Sequence, residues 1–216
     1  MLLDAILFDF DGTLCDTIPL IVESYQHMYK AHGKRFHQPD EIIAGIGLPL
    51  ETVIGSEYPT EMPKMLQTYL DYNFKYSITR YGIFLGIGPM LEELKKMNIP
   101  MGIVTAKRYE NLIPTLEHSG LDQYFEIIVS KNDTDQHKPN PAPLLLGMEK
   151  LGYQNPSRIM YVGDAVFDVQ AAKNGNFISA IVGWSQSDHD VLRQEKPSYW
   201  FDNPSDLTQM IKSLQK

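Results

Sequence analysis

The sequence predicts an α/β fold: a Rossmann-like parallel sheet core flanked by helices, with an inserted all-helical domain. Short runs of apolar residues recur along the chain, and helical patterns alternate with the later runs. Strands that alternate with helices are typical of a parallel sheet covered on both faces. The alternation is interrupted over residues 17–81, where no run has the pattern of a strand, and this interruption predicts the inserted domain.

Five apolar runs are predicted to be the strands of the sheet. The first, Ala5–Phe8, is apolar at every position, which is typical of a parallel strand buried on both faces. The other four runs occupy residues 100–104, 125–129, 158–162 and 177–182. Apolar residues at helical spacing separate the later runs and predict helices over residues 90–97 and 144–151.

Residues 17–81 are predicted to form a helical cap domain, inserted into a core domain built from residues 1–16 and 82–216. Within the insertion, apolar side chains recur at helical spacing over residues 20–29 and 65–72, which are predicted to be helices whose apolar faces pack within a small helical bundle. The glycine-rich stretch that follows the insertion is expected to form the hinge by which the chain returns to the core.

Composition excludes several classes of partner and location. The 216 residues are 43% hydrophobic, which is enough for one domain core with an insertion. A formal net charge of −8, without a run of Lys and Arg, argues against nucleic-acid and membrane-surface binding. The chain has one cysteine, an N-terminal apolar run broken by Asp4 and Asp9, and no apolar stretch long enough to span a membrane. We therefore expect a cytoplasmic protein, and we expect it to be a monomer or a homodimer.

Two acidic pairs each follow a predicted strand. Asp9 and Asp11 come directly after the first strand, and Gly12 permits the chain to turn there, so both carboxylates can face the crevice at the sheet edge. The exposed amides of such a turn can hold phosphate oxygens. Asp164 and Asp168 follow the strand at residues 158–162. Carboxylates that converge without His or Cys ligands favour Mg²⁺, because this ion prefers oxygen.

Two further residues supply positive charge and a hydroxyl at the same edge. Thr105 ends the second strand, and Lys138 lies in a proline-rich stretch beyond the third. A hydroxyl and an ammonium group beside Mg²⁺ would bind a phosphoryl group and stabilise its developing charge. Lys107 and Arg108, which also follow the second strand, are expected to be the solvated start of a helix.

These four motifs, in this order, resemble those of haloacid dehalogenase superfamily phosphatases with a small helical cap, in the phosphoglycolate-phosphatase and pyrophosphatase-like branch. The resemblance covers essentially the whole chain. It implies a Mg²⁺-dependent hydrolase that acts on a small phosphorylated metabolite or on pyrophosphate, through a phosphorylated aspartate.

The resemblance also implies the roles of the site residues. Asp9 would attack phosphorus and bind Mg²⁺, and Asp11 would be the general acid and then the general base, with its backbone carbonyl on the metal. Asp164 would be a further metal ligand, and Asp168 would orient metal-bound water or Lys138. The residues implied to bind phosphate are Gly12, Thr13, Thr105, Ala106 and Lys138, of which Thr105 and Lys138 would also be catalytic.

Alternatives remain at this point. A phosphosugar mutase of the β-phosphoglucomutase type would need the same Asp9 and Asp11, although residues 45–51 contain no arginine to hold a second phosphate. That stretch is either a substrate-facing loop or a simple turn between helices. A metal- or phosphate-binding protein that has lost catalysis is the alternative from another class, and the intact set of acidic residues and Lys138 argues against it.

Overall fold

A computed structural model describes residues 3–214 of the chain. Six strands of the described residues form one parallel sheet in the spatial order β5-β4-β1-β6-β7-β8, and two more form an antiparallel pair, β2 with β3. The strands are β1 (Ala5–Phe8), β2 (Cys15–Asp16), β3 (Gly82–Ile83), β4 (Met101–Val104), β5 (Ile127–Val129), β6 (Ile159–Gly163), β7 (Ile178–Val182) and β8 (Tyr199–Phe201).

The parallel sheet, flanked by helices, confirms the predicted fold class. All five predicted strands are present, within two residues of their expected bounds. The sixth, β8, was not predicted; like β5 it is a three-residue strand at an edge of the sheet, and it pairs with β7. In the part of the chain that the structure describes, no helix is both long and apolar enough to cross a membrane.

Ten α-helices lie in the described residues. They are α1 (Ile18–Ala31), α2 (Pro39–Ile43), α3 (Leu50–Glu57), α4 (Met62–Tyr76), α5 (Ile87–Lys96), α6 (Tyr109–Ser119), α7 (Ala142–Lys150), α8 (Val166–Asn174), α9 (His189–Gln194) and α10 (Pro204–Leu214). The two helices predicted within the insertion correspond to α1 and α4, while the shorter α2 and α3 were not predicted.

The central strand β1 is held from both sides of the sheet. Because successive side chains of a strand point to opposite faces, Ile6 and Phe8 join the hydrophobic cluster under α5, α6 and α10, whereas Ala5 and Leu7 join the cluster under α7 and α8. All four are fully or almost fully buried. Full burial of a large apolar side chain stabilises a fold by about 1.5–3 kcal/mol. The residues that follow β1 therefore leave the sheet from a rigid strand.

Helices α1 to α4 have a hydrophobic cluster of their own, separate from the two clusters of the sheet. Met28, Ile54 and Met65 lie at its centre with no exposed surface. The rings of Tyr25 and Tyr69 meet edge to face, with 4.9 Å between their centroids. The aromatic residues at helical spacing are therefore packing residues of this small helical bundle.

The chain enters and leaves the helical bundle through the antiparallel pair of β2 and β3, in which Cys15 pairs with Ile83 and Asp16 with Gly82. The glycine-rich stretch is therefore tied to the entering chain by strand pairing. It then leads into α5, which begins after Gly86 in the left-handed conformation at φ 92°.

Candidate active site

The carboxyl ends of three neighbouring strands bring three of the predicted site residues together. Asp9 follows the central strand β1, Thr105 follows β4 and Asp164 follows β6. Parallel neighbours end at the same edge of a sheet, so these side chains converge on the crevice there. All three are buried, at 4%, 5% and 1% exposure. Buried polar side chains must be paired, and their partners define the site.

Lys138 lies at the centre of the buried polar groups. Its ammonium donates to Asp9 Oδ2 at 3.0 Å, to Asp168 Oδ1 at 2.6 Å and to the Tyr161 hydroxyl at 3.0 Å. These three bonds use the full donor capacity of a lysine. Burial on its own would lower the pKa of Lys138, but the charges of Asp168 and Asp9 raise it well above its usual range. Lys138 is therefore a fixed positive charge against Asp9.

Asp168 is committed to holding this arrangement. Its Oδ1 accepts from Lys138, and its Oδ2 accepts from the backbone amides of Asp164 and Ala165 at 3.0 and 2.9 Å. The two bonds to Oδ2 cap the N-terminus of α8, where backbone amides have no helical partner. Both oxygens are thus occupied, and the carboxylate links the start of α8 to Lys138.

Asp9, Asp164 and Asp168 form a buried cluster in which one oxygen of each lies within 4.8 Å of the others. Asp164 accepts from Thr13 at 3.2 Å and from Ser185 at 2.8 Å. Burial raises the pKa of Asp9 to about 6, even though Lys138 acts to lower it. Burial, followed by the charges of Asp168 and Asp9, raises the pKa of Asp164 well above its usual range.

Burial and like charge disfavour the ionised carboxylates of this cluster, and a cation bound there would offset that cost. One ammonium does not balance three buried carboxylates, so negative charge on Asp9 and Asp164 is disfavoured. The donor set consists of oxygen atoms, which suits a hard cation such as Mg²⁺. Asp9, Asp164 and Asp168 could each offer one oxygen to such an ion.

Asp11 points away from this cluster, towards the helical bundle. Its Oδ1 accepts from the Thr17 hydroxyl and from the Lys107 ammonium, both at 2.7 Å. The expectation that Lys107 is a solvated helix start is wrong, because its side chain is only 9% exposed and is paired with Asp11. The expectation is also wrong for Arg108, which forms an ion pair with Glu51 of α3.

The turn after β1 approaches Asp164 very closely. Gly12 has φ +74°, in the region that favours glycine, and a Cβ built there would lie 2.2 Å from Asp164 Oδ2. The neighbouring Thr13 is buried, and its carbonyl accepts from the Trp184 indole at 3.0 Å. Only a residue without a side chain fits between this turn and Asp164.

A cavity of about 70 Å³ lies between the sheet edge and the helical bundle. Asp9, Asp11 and Thr105 line it with Ala106 on the sheet side. The bundle side includes Tyr25, Leu50, Glu51, Tyr69 and Asn73, together with residues 46–48. The stretch at residues 45–51 therefore faces the cavity as well as connecting two helices.

Three contact residues were not predicted from the sequence. Tyr161 donates to the Val104 carbonyl at 2.8 Å and accepts from Lys138, and Ser185 and Thr17 donate to Asp164 and Asp11. The sequence contained a clue to the role of Tyr161, since it is the one side chain with a polar group in the otherwise apolar strand β6. Ser185 carried a weaker one, since it follows the end of β7.

Comparisons with known proteins identify the family of the chain. The haloacid dehalogenase-like hydrolase family model matches residues 6–182. Pyrophosphatase PpaX of Oceanobacillus iheyensis is 31% identical over 211 residues, covering 98% of each chain. Pyrophosphatase PpaX of Bacillus velezensis is 32% identical over 203 residues, covering 94% of each. The crystal structure of a predicted phosphatase from Clostridium acetobutylicum has the same fold, with a TM-score of 0.87 at 23% identity, covering 99% of this chain and 100% of that one.

The family model spans the strands that carry Asp9, Thr105 and Asp164, together with Lys138 and the inserted helices. The relatives match over nearly their whole length as well as over this chain. The chain belongs to the haloacid dehalogenase-like hydrolases, and it is an enzyme of the phosphatase type.

Proposed function

We propose that this phosphatase is a Mg²⁺-dependent hydrolase of small phosphate monoesters or of pyrophosphate, and that it works through a phosphorylated Asp9. The observation that carries the proposal is the ammonium of Lys138, fixed between Asp9 at 3.0 Å and Asp168 at 2.6 Å. The ammonium orients one oxygen of Asp9, which lines the cavity, and offsets the negative charge of that carboxylate. The names of the relatives, which are pyrophosphatases, support the same substrate class.

The proposed reaction has two steps. Asp9 attacks phosphorus, the bond from phosphorus to the leaving oxygen breaks, and Asp11 donates a proton to that oxygen. Water then attacks the phosphorus of the acyl phosphate, the bond from phosphorus to the Asp9 oxygen breaks, and Asp11 removes a proton from the water. Inorganic phosphate leaves, and Asp9 is regenerated as a carboxylate. Thr105 lines the cavity and would contact the phosphoryl oxygens, whereas Lys138, whose three donors are committed, would stabilise their developing charge through its own positive charge.

The residues proposed to hold Mg²⁺ are Asp9 and Asp164 through their side chains and Asp11 through its backbone carbonyl. When bound, the ion would offset the negative charge of the nucleophile and the phosphoryl group. Asp168 is proposed to act through Lys138 and through the amides of Asp164 and Ala165, which precede α8.

Backbone amides are proposed to complete the phosphate site. The hydroxyl of Thr13 is committed to Asp164 and the amide of Gly12 to the Cys15 carbonyl at 2.9 Å, so Thr13 and Ala106 would bind phosphate oxygens through their amides, and Gly12 would shape the turn that presents them. Residues 17–81 are proposed to be a cap domain that closes over the cavity, with residues 1–16 and 82–216 as the catalytic core. Closure would exclude bulk water and restrict the enzyme to small substrates.

Removal of divalent ions is expected to abolish phosphatase activity, and Mg²⁺ is expected to restore it. Mg²⁺ should also raise the midpoint of thermal unfolding, because a ligand that binds only the folded state stabilises it.

The pKa of Asp9 rises on folding from 3.8 to about 6. The stability gained from its protonated form is complete below pH 3.8 and lost as the pH rises through about 6. The thermal shift with Mg²⁺ should therefore be larger at pH 7.5 than at pH 5.

Asp164→Asn should remove most of the thermal shift with Mg²⁺. Asp190→Asn, an exposed position in the first turn of α9, is the matched control and should keep it. Full activity after exhaustive chelation would show that the reaction needs no metal.

Gly12→Ala is expected to lower kcat/KM by at least about 10-fold, since the new Cβ must displace the Asp164 carboxylate or the turn that carries Asp11. Gly152→Ala is the matched control, because Gly152 also has positive φ, at +82°, but a Cβ there meets nothing within 4 Å. Both variants carry the same kind of backbone strain, about 1–2 kcal/mol. Equal kinetic losses in the two variants would mean that strain, and not the contact with Asp164, is responsible.

A further inference from the structure

Three charged side chains meet at the cavity, away from Lys138. Glu51, in the first turn of α3, accepts from Arg108 and lies 3.0 Å from the Lys131 ammonium. Arg108 follows β4 and Lys131 follows β5, so both cations come from the sheet, whereas Glu51 comes from the helical bundle. All three line the same cavity as Asp9, and each side chain is about a quarter exposed, at 23–26%.

Glu51 leaves the two cations incompletely satisfied. Both contact one oxygen, Oε1, so two positive charges share one negative charge. Within residues 3–214, the buried Nε of Arg108 has no hydrogen-bond partner. A guanidinium group binds an oxyanion best through two parallel N–H bonds to two oxygens. The cations therefore have capacity for an anion that contacts them through two oxygens, where Glu51 uses one.

Glu51 is nevertheless an anion in this position. Burial acts to raise its pKa, but hydrogen bonds from its own amide and from Lys131, together with the charge of Arg108, lower the pKa below its usual value. A substrate group that enters between the two cations must therefore displace a charged carboxylate. A neutral group that displaced Glu51 would leave both cations without an anionic partner, so only an anionic group can take its place.

We propose that Arg108 and Lys131 bind a second anionic group of the substrate, distal to the phosphoryl group at Asp9, and that Glu51 occupies its place until the substrate arrives. The inference rests on the proposed function and narrows its substrate class. The preferred substrates are small phosphoesters or phosphoanhydrides that carry a second anionic group, a carboxylate or another phosphate. Glu51 then acts as a built-in competitor, which a substrate with a single anionic group cannot displace.

The test compares two probes that differ at the distal group: 2-phosphoglycolate, which has a carboxylate, and ethyl phosphate, which has a methyl group there. With Mg²⁺ present, Arg108→Gln should lower kcat/KM for 2-phosphoglycolate by at least about 10-fold, as expected for loss of a charge-assisted hydrogen bond. Lys131→Gln should act in the same direction. Glu51→Gln should raise kcat/KM for 2-phosphoglycolate several-fold. All three variants should change kcat/KM for ethyl phosphate by less than about twofold.

Two controls match these changes of charge outside the cavity. Glu23→Gln removes the partner of Arg80, and Lys34→Gln removes the partner of Glu61. Neither should alter the preference between the probes. A fall in kcat/KM for both probes with Glu51→Gln would overturn the proposal and make Glu51 a structural link between bundle and sheet. An unchanged preference with Arg108→Gln would also overturn it.

A second measurement separates this inference from the proposed function. If the wild-type enzyme hydrolyses neither probe with Mg²⁺, the proposed function has failed. Calorimetric titration of 2-phosphoglycolate into proteins that also carry Asp9→Asn then decides the inference without turnover. Added Glu51→Gln should tighten binding and added Arg108→Gln should weaken it, and the opposite order would contradict the proposal.

Discussion

Asp9→Asn is expected to lower the turnover of a small phosphate monoester by at least about 10³-fold, which is a barrier increase of about 4 kcal/mol. An amide is a far poorer nucleophile than a carboxylate and a poorer ligand for Mg²⁺. The substitution keeps the shape of the side chain, and Asn can still accept from Lys138 through its carbonyl oxygen. The loss should therefore appear in kcat while the fold, measured by circular dichroism and thermal unfolding, is retained.

Asp4→Asn is the matched control, because Asp4 precedes the same strand at the opposite edge of the sheet and pairs with Arg158 at 2.5 Å. It should keep near wild-type turnover. Retention of more than about a tenth of the rate by Asp9→Asn would mean that water attacks phosphorus directly, since a change below about 1.4 kcal/mol is too small for loss of a nucleophile.

Asp11→Asn is expected to slow phosphorylation of Asp9 by about 10²–10⁴-fold with an alkyl phosphate, and by much less with p-nitrophenyl phosphate. An alkoxide needs a proton in the transition state, whereas a nitrophenolate is stable as an anion. Single-turnover measurements of leaving-group release are required, because the variant should also hydrolyse the acyl phosphate slowly with either substrate. The position of Asp11 agrees with this role, since it lines the cavity and its carboxylate lies outside the acidic cluster.

The control for Asp11→Asn is Asp16→Asn, which removes the same charge nearby, at a side chain that accepts only from Gln186 in the described residues, at 3.3 Å. It should leave both rates close to those of the wild type. Asn keeps the backbone carbonyl, so Mg²⁺ affinity should change little in Asp11→Asn. Equal losses with the two substrates, or a large drop in Mg²⁺ affinity, would assign Asp11 a structural or ligand role instead.

The fold could be predicted because its central strands carry strong local signals. Ala5–Phe8 is apolar at every position, and such a run has few structural alternatives. Where the local signal is short, the prediction failed. Tyr199–Phe201 becomes a strand through pairing with β7, and α2 has five residues, which is little more than one helical turn. Tertiary contacts, and not local pattern, define such elements.

The residues of the candidate site likewise fall into those that the sequence predicted and those that it did not. Residues at strand ends could be found because the position is readable from the sequence, as for Asp9 and Asp164. Contact partners that are distant in the sequence could not be found in this way. Lys107 was expected to be solvated, but its ammonium folds back 2.7 Å from Asp11 across 96 positions of sequence. Glu51 meets its two cations only because the helical bundle packs against the sheet edge.

Chemical trapping at position 9 tests the central proposal most directly. An acyl phosphate on an aspartate is reduced by borohydride to homoserine, which peptide mass spectrometry can locate. Asp11→Asn protein should be mixed with p-nitrophenyl phosphate and Mg²⁺, quenched in acid after the burst of nitrophenolate, and reduced. Homoserine is expected at position 9 in proportion to the burst, and none is expected without substrate. A burst that leaves Asp9 unmodified, or homoserine at another aspartate, would contradict it.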